Sequence, residues 1–485
     1  MENKKESLVK GILSLFLSQI LIKIIGLAYK LYLTNKEGFG DAGNAIYSSG
    51  FQIYALLLTF SSTGVPNAIS KLVSERLAVG DNKGAHKVFK IAFVTFGMIG
   101  LFGSILLFLG AKIIAKDWIQ IPEAEYSLMA LSPSIFFVSI TAVIRGYFNG
   151  RQNFSATAKS QTLEQIFKTV FTIALVELVI ILGKQNTTIM AGAANLATTV
   201  ATISSFIYIY FYYRLRRREI GQEIIGTVNY KPTRVRKTIK QILTVAMPIS
   251  LSSLISSFNK NIDSFTIVRF LKQITTEQEA KIQYGILSGK IDSLCSLPLS
   301  FNIAFVTALV PNIARLMAKG KKEEVRKKSE QFILISILIS LPITVIMFIY
   351  AEPILTLLFP NAKSGAMYLR VSSVSIIFMI LAQTINGILQ GIGKVNVPAI
   401  SFGIGMIFKF ICNIFLIPNP KIGIFGAIFG NIICNVIAFA ISVTILFKNL
   451  RIKIQFKKCI LKPILATVMM SLGSIFLYGR SRRRP

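Results

Sequence analysis

A chain of 485 residues that is 53% hydrophobic and only 15% charged has too little polar surface to coat a soluble globule. Its mean hydropathy of +0.62 places it among membrane proteins. The net charge of +33 would suit a nucleic-acid partner, but the cations fall in the segments between apolar runs, where membrane topology puts them, and this argues against such a partner.

Each apolar run of about 20 residues matches a hydrocarbon core of about 30 Å at about 1.5 Å per helical residue. Backbone groups need internal partners in lipid and no period-2 pattern is present, so the spans are predicted to be helices. In chain order thirteen are expected, over about 10–33, 45–70, 88–115, 126–148, 159–182, 188–213, 238–268, 284–312, 332–350, 366–390, 396–417, 423–447 and 459–478. The first follows Lys4, Lys5 and Lys10 and has no small-residue cleavage site behind it. It reads as a retained anchor with the N-terminus on the cytoplasmic side. The segments then assigned to that side carry most of the cations, among them Arg214, Arg216, Arg217 and Arg218, whereas the opposite segments mix signs, as with Lys116, Asp117, Glu123 and Glu125. Thirteen spans would put Arg480, Arg482, Arg483 and Arg484 outside, so a fourteenth helix, or a count shifted by one, is expected. Cys295, Cys412, Cys434 and Cys459 show no C-x-x-C spacing; neither a disulfide framework nor a zinc site is expected.

The two halves repeat. Val65-Pro66-Asn67 is matched by Val310-Pro311-Asn312, each leading to a basic turn with a glycine, Gly80 or Gly320. Gly146-Tyr147-Phe148-Asn149-Gly150 is matched by Gly387-Ile388-Leu389-Gln390-Gly391, and Ile166-Phe167-Lys168 by Ile407-Phe408-Lys409. The expected fold is an all-α polytopic membrane protein of two parallel six-helix lobes plus one or two C-terminal helices. The expected boundaries are an N-lobe over 1–213, a basic linker over 214–240, a C-lobe over 241–447 and a C-terminal helix with a basic tail, shorter than a full ending, over 448–485. Six spans per lobe make the repeats parallel, and a substrate site is expected between them. The spacings Gly146-x-x-x-Gly150 and Gly387-x-x-x-Gly391 fit either close helix approach or helix-end turns.

An ionisable residue inside a span costs about 2.5–3.5 kcal/mol on insertion scales, so those present are functional candidates. The first span holds Lys23 and Lys30, and the seventh holds Lys260, Asp263 and Arg269, with Lys290 and Asp292 in the next. The cations Lys23, Lys30, Lys260, Arg269 and Lys290 would suit an anionic headgroup, a phosphate or pyrophosphate. The alternative is that Lys30, Arg269 and Lys290 reach to the interface and that Asp263 pairs with Lys260. Asp263, Asp292, Glu164, Glu177 and Arg145 are candidates for coupling or gating; for Glu164 a local pair with Lys168 is the default. The sole histidine, His86, lies in a basic segment, which leaves no intramembrane histidine for acyl transfer, and no enzyme is expected.

The stretch Leu56-Leu57-Leu58-Thr59, with Gly64, Pro66, Ala68, Ser70, Lys71 and Glu75, resembles the second-helix signature of the stage V sporulation protein B and YtgP branch of the multidrug/oligosaccharidyl-lipid/polysaccharide (MOP) exporter superfamily, related to MurJ-type lipid II flippases. Arg145 to Gly150 with Gln161, Glu164 and Gln165, and Ala246-Met247-Pro248-Ile249 with Ile262-Asp263, resemble further motifs of that branch. The resemblance implies a flippase in the bacterial cytoplasmic membrane that acts on undecaprenyl-pyrophosphate-linked sugars by alternating access, with Lys23 where the first-helix cation is expected. It implies no cofactor or metal, a monomer, and drive from a coupling ion (Na+ or H+) or the membrane potential. Ser293 and Ser296 ahead of Pro298, and Leu58 and Thr59 in the second helix, depart from the MurJ-type pattern of charged residues. The resemblance therefore implies the lipid class and leaves the sugar open. A cation-coupled multidrug exporter of the same superfamily is the alternative, and the scarcity of mid-span carboxylates argues against it.

Overall fold

The computed structural model describes residues 8–59, 64–183, 185–227, 230, 232–450 and 461–481. Within them the regular secondary structure is helical: α1 (Leu8–Asn35), α2 (Gly40–Thr59), α3 (Val65–Ala78), α4 (Asn82–Ile113), α5 (Ala124–Gly150), α6 (Phe154–Ile181), α7 (Thr187–Ile225), α8 (Val235–Leu271), α9 (Glu277–Gly285), α10 (Asp292–Ala318), α11 (Lys322–Ile349), α12 (Ala351–Leu358), α13 (Ala366–Gly391), α14 (Val397–Leu416), α15 (Phe425–Leu450) and α16 (Lys462–Ser481). Single π-helical stretches at Ile114–Ile119 and Ile286–Ile291 continue α4 and join α9 to α10. Lys4, Lys5 and Arg482 to Arg484, used in the topology reading, and Cys459 lie outside the described residues.

Among the described residues, seven helices are long and apolar enough to cross a membrane: α4 with its π extension, α5, α7, α11, α13, α14 and α15. Of the other expected spans, α1, α6 and α8 carry polar groups mid-helix, Lys23 and Lys30, then Glu164 and Lys168, then Lys260 and Asp263. The helices least suited to lipid on composition are thus those that hold most of the candidate site.

Contacts divide the chain into two compact units, Met1–Arg269 and Phe270–Pro485. This differs from the expected lobe boundary in the linker 214–240. Almost all of α8 packs with the first unit, and its contacts explain why. Ile242 is buried in the core of that unit beside Val73, Phe89 and Tyr147. Thr59 and Ser257 share a hydroxyl hydrogen bond of 2.8 Å, and Gly64 leaves no room for a Cβ against Ser250 and the Ala246 carbonyl. At the other end, the Arg269 guanidinium donates to the Asp117 carbonyl at 2.6 Å and Phe265 meets Trp118 edge-on. The expected linker is also largely helical: α7 runs through Arg214 to Ile225, and α8 starts at Val235.

Each unit has a core built on the same helices of the repeat. In the first, Val65 and Ile69 of α3 pack on Val143, Ile144 and Tyr147 of α5. In the second, Leu309 and Ile313 of α10 pack on Ile385, Ile388 and Leu389 of α13. The paired glycines lie inside α5 and α13, so close approach rather than a turn accounts for them. A Cβ on Gly146 would stand 2.8 Å from the Pro66 carbonyl, and one on Gly150 2.8 Å from that of Ser70. In the second unit, a Cβ on Gly391 would stand 2.8 Å from the Ile313 Cβ. Gly80 and Gly320 end α3 and α10 at φ of 76° and 70°, a left-handed conformation that glycine adopts without a Cβ penalty.

Replacing Gly150 or Gly391 by Ala should lower stability by about 1–3 kcal/mol through overpacking. Ala at Gly221, whose Cβ would meet nothing within 4 Å, should be neutral or stabilising by up to about 1 kcal/mol. Thermal unfolding of the purified protein in detergent distinguishes these outcomes.

Candidate functional site

The first unit brings together two of the sequence-predicted cations. Lys23 on α1 and Lys260 on α8 are both exposed, and each ammonium lies within electrostatic reach of the other. Neither has an ion-pair partner among the described residues. Two like charges that act on each other without a counter-ion repel, and an anion bound near both would relieve the repulsion. Asp263, one turn along α8, is only 6% exposed and has its own interactions.

A second cluster joins α5, α6 and α7. The Arg145 guanidinium donates to the Glu164 carboxylate at 2.8 Å and to the hydroxyls of Ser160 and Ser205 at 2.9 and 2.8 Å. The two serine oxygens are themselves 2.9 Å apart. The expected local pair of Glu164 with Lys168 is absent among the described residues, because α5 delivers an arginine to the carboxylate. Lys168 instead turns toward α1 and α2, 7% exposed, with its ammonium 4.1 Å from the Phe51 ring centroid and 5.2 Å from that of Tyr29. Tyr29 in turn hydrogen-bonds Tyr47 at 3.2 Å. This buried cation was missed as a site candidate. Its signal was the repeated Ile-Phe-Lys tripeptide, which marks the duplication but does not say which face the lysine takes.

The second unit repeats the cluster without its charges. Asn386, Ser401 and Ser442 stand 241 residues after Arg145, 241 after Ser160 and near the same offset from Ser205. The Ser442 hydroxyl donates to the Asn386 amide oxygen at 2.9 Å and to the Ser401 hydroxyl at 3.1 Å. Gly405 takes the place of Glu164 and packs directly on Cys434, while Lys409, the counterpart of Lys168, is fully buried.

The remaining candidates lie elsewhere. Lys30 is half-buried on α1 and has its own interactions. Glu177, for which the sequence suggested no partner, accepts from Lys36 and from the Tyr32 hydroxyl across the α1–α6 contact. Arg269 binds the Asp117 carbonyl at the end of α8. Lys290, in the second unit, is fully buried and donates to the carbonyls of Ala362 and Ser364 at 2.8 and 3.0 Å and to the Ser364 hydroxyl at 3.1 Å. It therefore anchors the segment before α13 and is not an open cation. Asp292 is half-buried in the first turn of α10. No cluster of three or more His, Cys, Asp or Glu side chains able to hold a metal occurs among the described residues.

The neutral cluster predicts how the charged one behaves. Glu164→Ala should cost about 3–5 kcal/mol, less the share that water offsets, by leaving a buried arginine without its carboxylate. The double variant Arg145→Asn with Glu164→Gly, which copies the second unit, should recover most of that loss. Unfolding midpoints of the three proteins check the expectation, and a double variant as unstable as Glu164→Ala contradicts it.

Comparison with known proteins agrees with this architecture. The family model described as Polysaccharide biosynthesis protein matches residues 8–317, and MatE matches residues 291–415. Stage V sporulation protein B of Bacillus subtilis (strain 168) is 24% identical over 426 residues, which cover 87% of this chain and 80% of that protein. Lipid II flippase MurJ of the same organism is 24% identical over 424 residues, 84% of this chain and 77% of that protein. Among solved structures, Lipid II flippase MurJ in an inward closed conformation superposes with a TM-score of 0.72 at 17% identity, covering 96% of this chain and 92% of that one. An inward-facing multidrug resistance MATE family transporter of the MOP superfamily gives 0.74 at 16%, covering 89% and 94%. These likenesses establish the shared fold. The first family model spans well over half of the sequence, and the chain belongs to the polysaccharide biosynthesis protein family, as a multi-pass membrane protein similar to MurJ and stage V sporulation protein B.

Proposed function

We propose that this transporter is a flippase for an undecaprenyl-pyrophosphate-linked sugar precursor, lipid II or a related cell-wall or polysaccharide intermediate, in the bacterial cytoplasmic membrane. The observation that carries the reading is the pair Lys23 and Lys260, two exposed lysines of the first unit whose charges act on each other and which have no ion-pair partner among the described residues. A pyrophosphate supplies the negative charge that this pair lacks, and the prenyl chain stays in lipid. The N-terminus is cytoplasmic, the protein acts as a monomer by alternating access, and no enzymatic step or bound cofactor takes part. A coupling ion, Na+ or H+, or the membrane potential drives the cycle; moving one charge through 100 mV is worth about 2.3 kcal/mol.

The likeness to MATE transporters supports a second reading, a cation-coupled multidrug exporter. Such a protein would hold cationic drugs with carboxylates, whereas the group here is cationic. A leaflet-resolved assay of undecaprenyl-linked precursor in cells depleted of this protein separates the two. Precursor retained in the inner leaflet supports the flippase, and drug sensitivity with normal precursor export supports the exporter.

Lys23→Ala and Lys260→Ala should each abolish complementation of the depleted strain while membrane abundance stays normal. Lys290→Ala should lower abundance itself, because it removes a fully buried side chain and the donor to two carbonyls and a hydroxyl that hold the segment before α13. Normal growth with Lys23→Ala would contradict the assignment.

A further inference from the structure

The helix α7 is 39 residues long, about 58 Å, whereas about 20 residues suffice to cross a hydrocarbon core of about 30 Å. Its last part therefore continues beyond the core, and it carries Arg214, Arg216, Arg217 and Arg218, all exposed. None of them makes an ion pair with any described residue. The helix α8 then opens with Arg236 and Lys237, also exposed, in a first turn that contains no acidic residue. Cations at a helix N-terminus oppose the helix dipole, so this turn favours an external anion on charge alone.

This basic segment is held on the protein by its other side chains. Glu223 accepts two hydrogen bonds from the Arg151 guanidinium at 2.9 and 2.7 Å, and its carbonyl accepts from the Asn82 amide at 3.2 Å. Thr227 accepts from the Lys83 backbone, the Thr233 carbonyl accepts from Lys87 at 2.8 Å, and Lys83 lies over the Tyr230 ring. Ile220 is buried in the core of the unit. The carboxylate of Glu223 is thereby taken by Arg151, and Glu219, exposed directly after Arg218, is the one other acid in this stretch of α7, so the arginines outnumber it and face outward.

Large apolar side chains stand among these cations. Leu215 is 81% exposed, Ile225 87% and Phe211 62%. A polyanion in water gains nothing from such neighbours, whereas the boundary between headgroups and acyl chains accommodates both kinds of side chain. We infer that the end of α7 and the start of α8 form a docking face for anionic phospholipid headgroups, held in place by Arg151, Asn82, Lys83 and Lys87. The lipid phosphates neutralise the excess of arginines over Glu219 and fix the height of the first unit in the bilayer.

The test uses the full chain in a neutral detergent with fluorescent phosphatidylglycerol, phosphatidylcholine and a short duplex DNA as probes. The wild type should bind phosphatidylglycerol in preference to phosphatidylcholine, with an affinity that falls as salt rises. The triple variant Arg216→Gln, Arg217→Gln, Arg218→Gln should weaken that binding by about a hundredfold, at roughly fivefold per cation. Lys319→Gln, Lys322→Gln, Lys328→Gln, which removes the same charge from exposed positions of the second unit, should leave it nearly unchanged. Should the arginine variant unfold, Arg236→Gln with Lys237→Gln gives the same comparison at the start of α8. Equal binding of the two lipids, equal losses in the two triple variants, or displacement of phosphatidylglycerol by the DNA would each overturn the inference.

Discussion

The interior of a bilayer offers no water, so every polar group there must find a partner in the protein or face a hydrated space. Most of the polar groups in these helices obey the first alternative. Arg145 is taken up by Glu164 and two serines, Glu177 by Lys36 and Tyr32, and Lys290 by two carbonyls and a hydroxyl. Lys168 is enclosed by aromatic rings, which attract a cation through their faces. Lys23 and Lys260 are exposed, and the proposed function assigns them to the second alternative. On that proposal, their exposure and mutual repulsion mark a place for an arriving anion, in contrast to the groups already satisfied.

The duplication adds a comparison that a single unit could not supply. The serine-based cluster of α5, α6 and α7 recurs with Asn386, Ser401 and Ser442 in place of Arg145, Ser160 and Ser205, so helices of this kind pack together without a buried ion pair. Buried ion pairs are in general no better than neutral packing. The charge on Arg145 and Glu164 therefore exceeds what folding of the unit needs, which is why this pair stands apart from the other satisfied groups. The glycines of α5 and α13, in contrast, serve the same purpose in both units, close approach to α3 and α10.

Much of this was legible in the sequence. The spans, the repeat and the close-packing glycines follow from hydropathy and spacing, and Lys23 and Lys260 were candidates because mid-span cations are costly. Other features depend on which helix faces which, and periodicity within one helix does not carry that. Glu164 looked like the partner of Lys168 because both lie on α6 four residues apart, yet the arginine that meets it comes from α5. Glu177 looked solitary because Tyr32 lies on α1 and Lys36 directly after it. Lys290 looked like an open cation because the carbonyls that bind it come from a segment some 70 residues later, at Ala362 and Ser364. The end of α7 looked like a linker because arginines are read as loop residues, although they are also good helix formers. The packing of α8 on the first unit depends on Gly64, Thr59 and Asp117, none of which marks a boundary in the sequence.

The central claim is that Lys23 and Lys260 attract a phosphorylated headgroup, and equilibrium binding of undecaprenyl pyrophosphate to the purified protein tests it most directly. The account predicts saturable binding by the wild type, competition by inorganic pyrophosphate, and loss of binding in Lys23→Ala with Lys260→Ala at unchanged thermal stability. Undiminished binding by that double variant, or a preference for a cationic drug over the pyrophosphate, would contradict it.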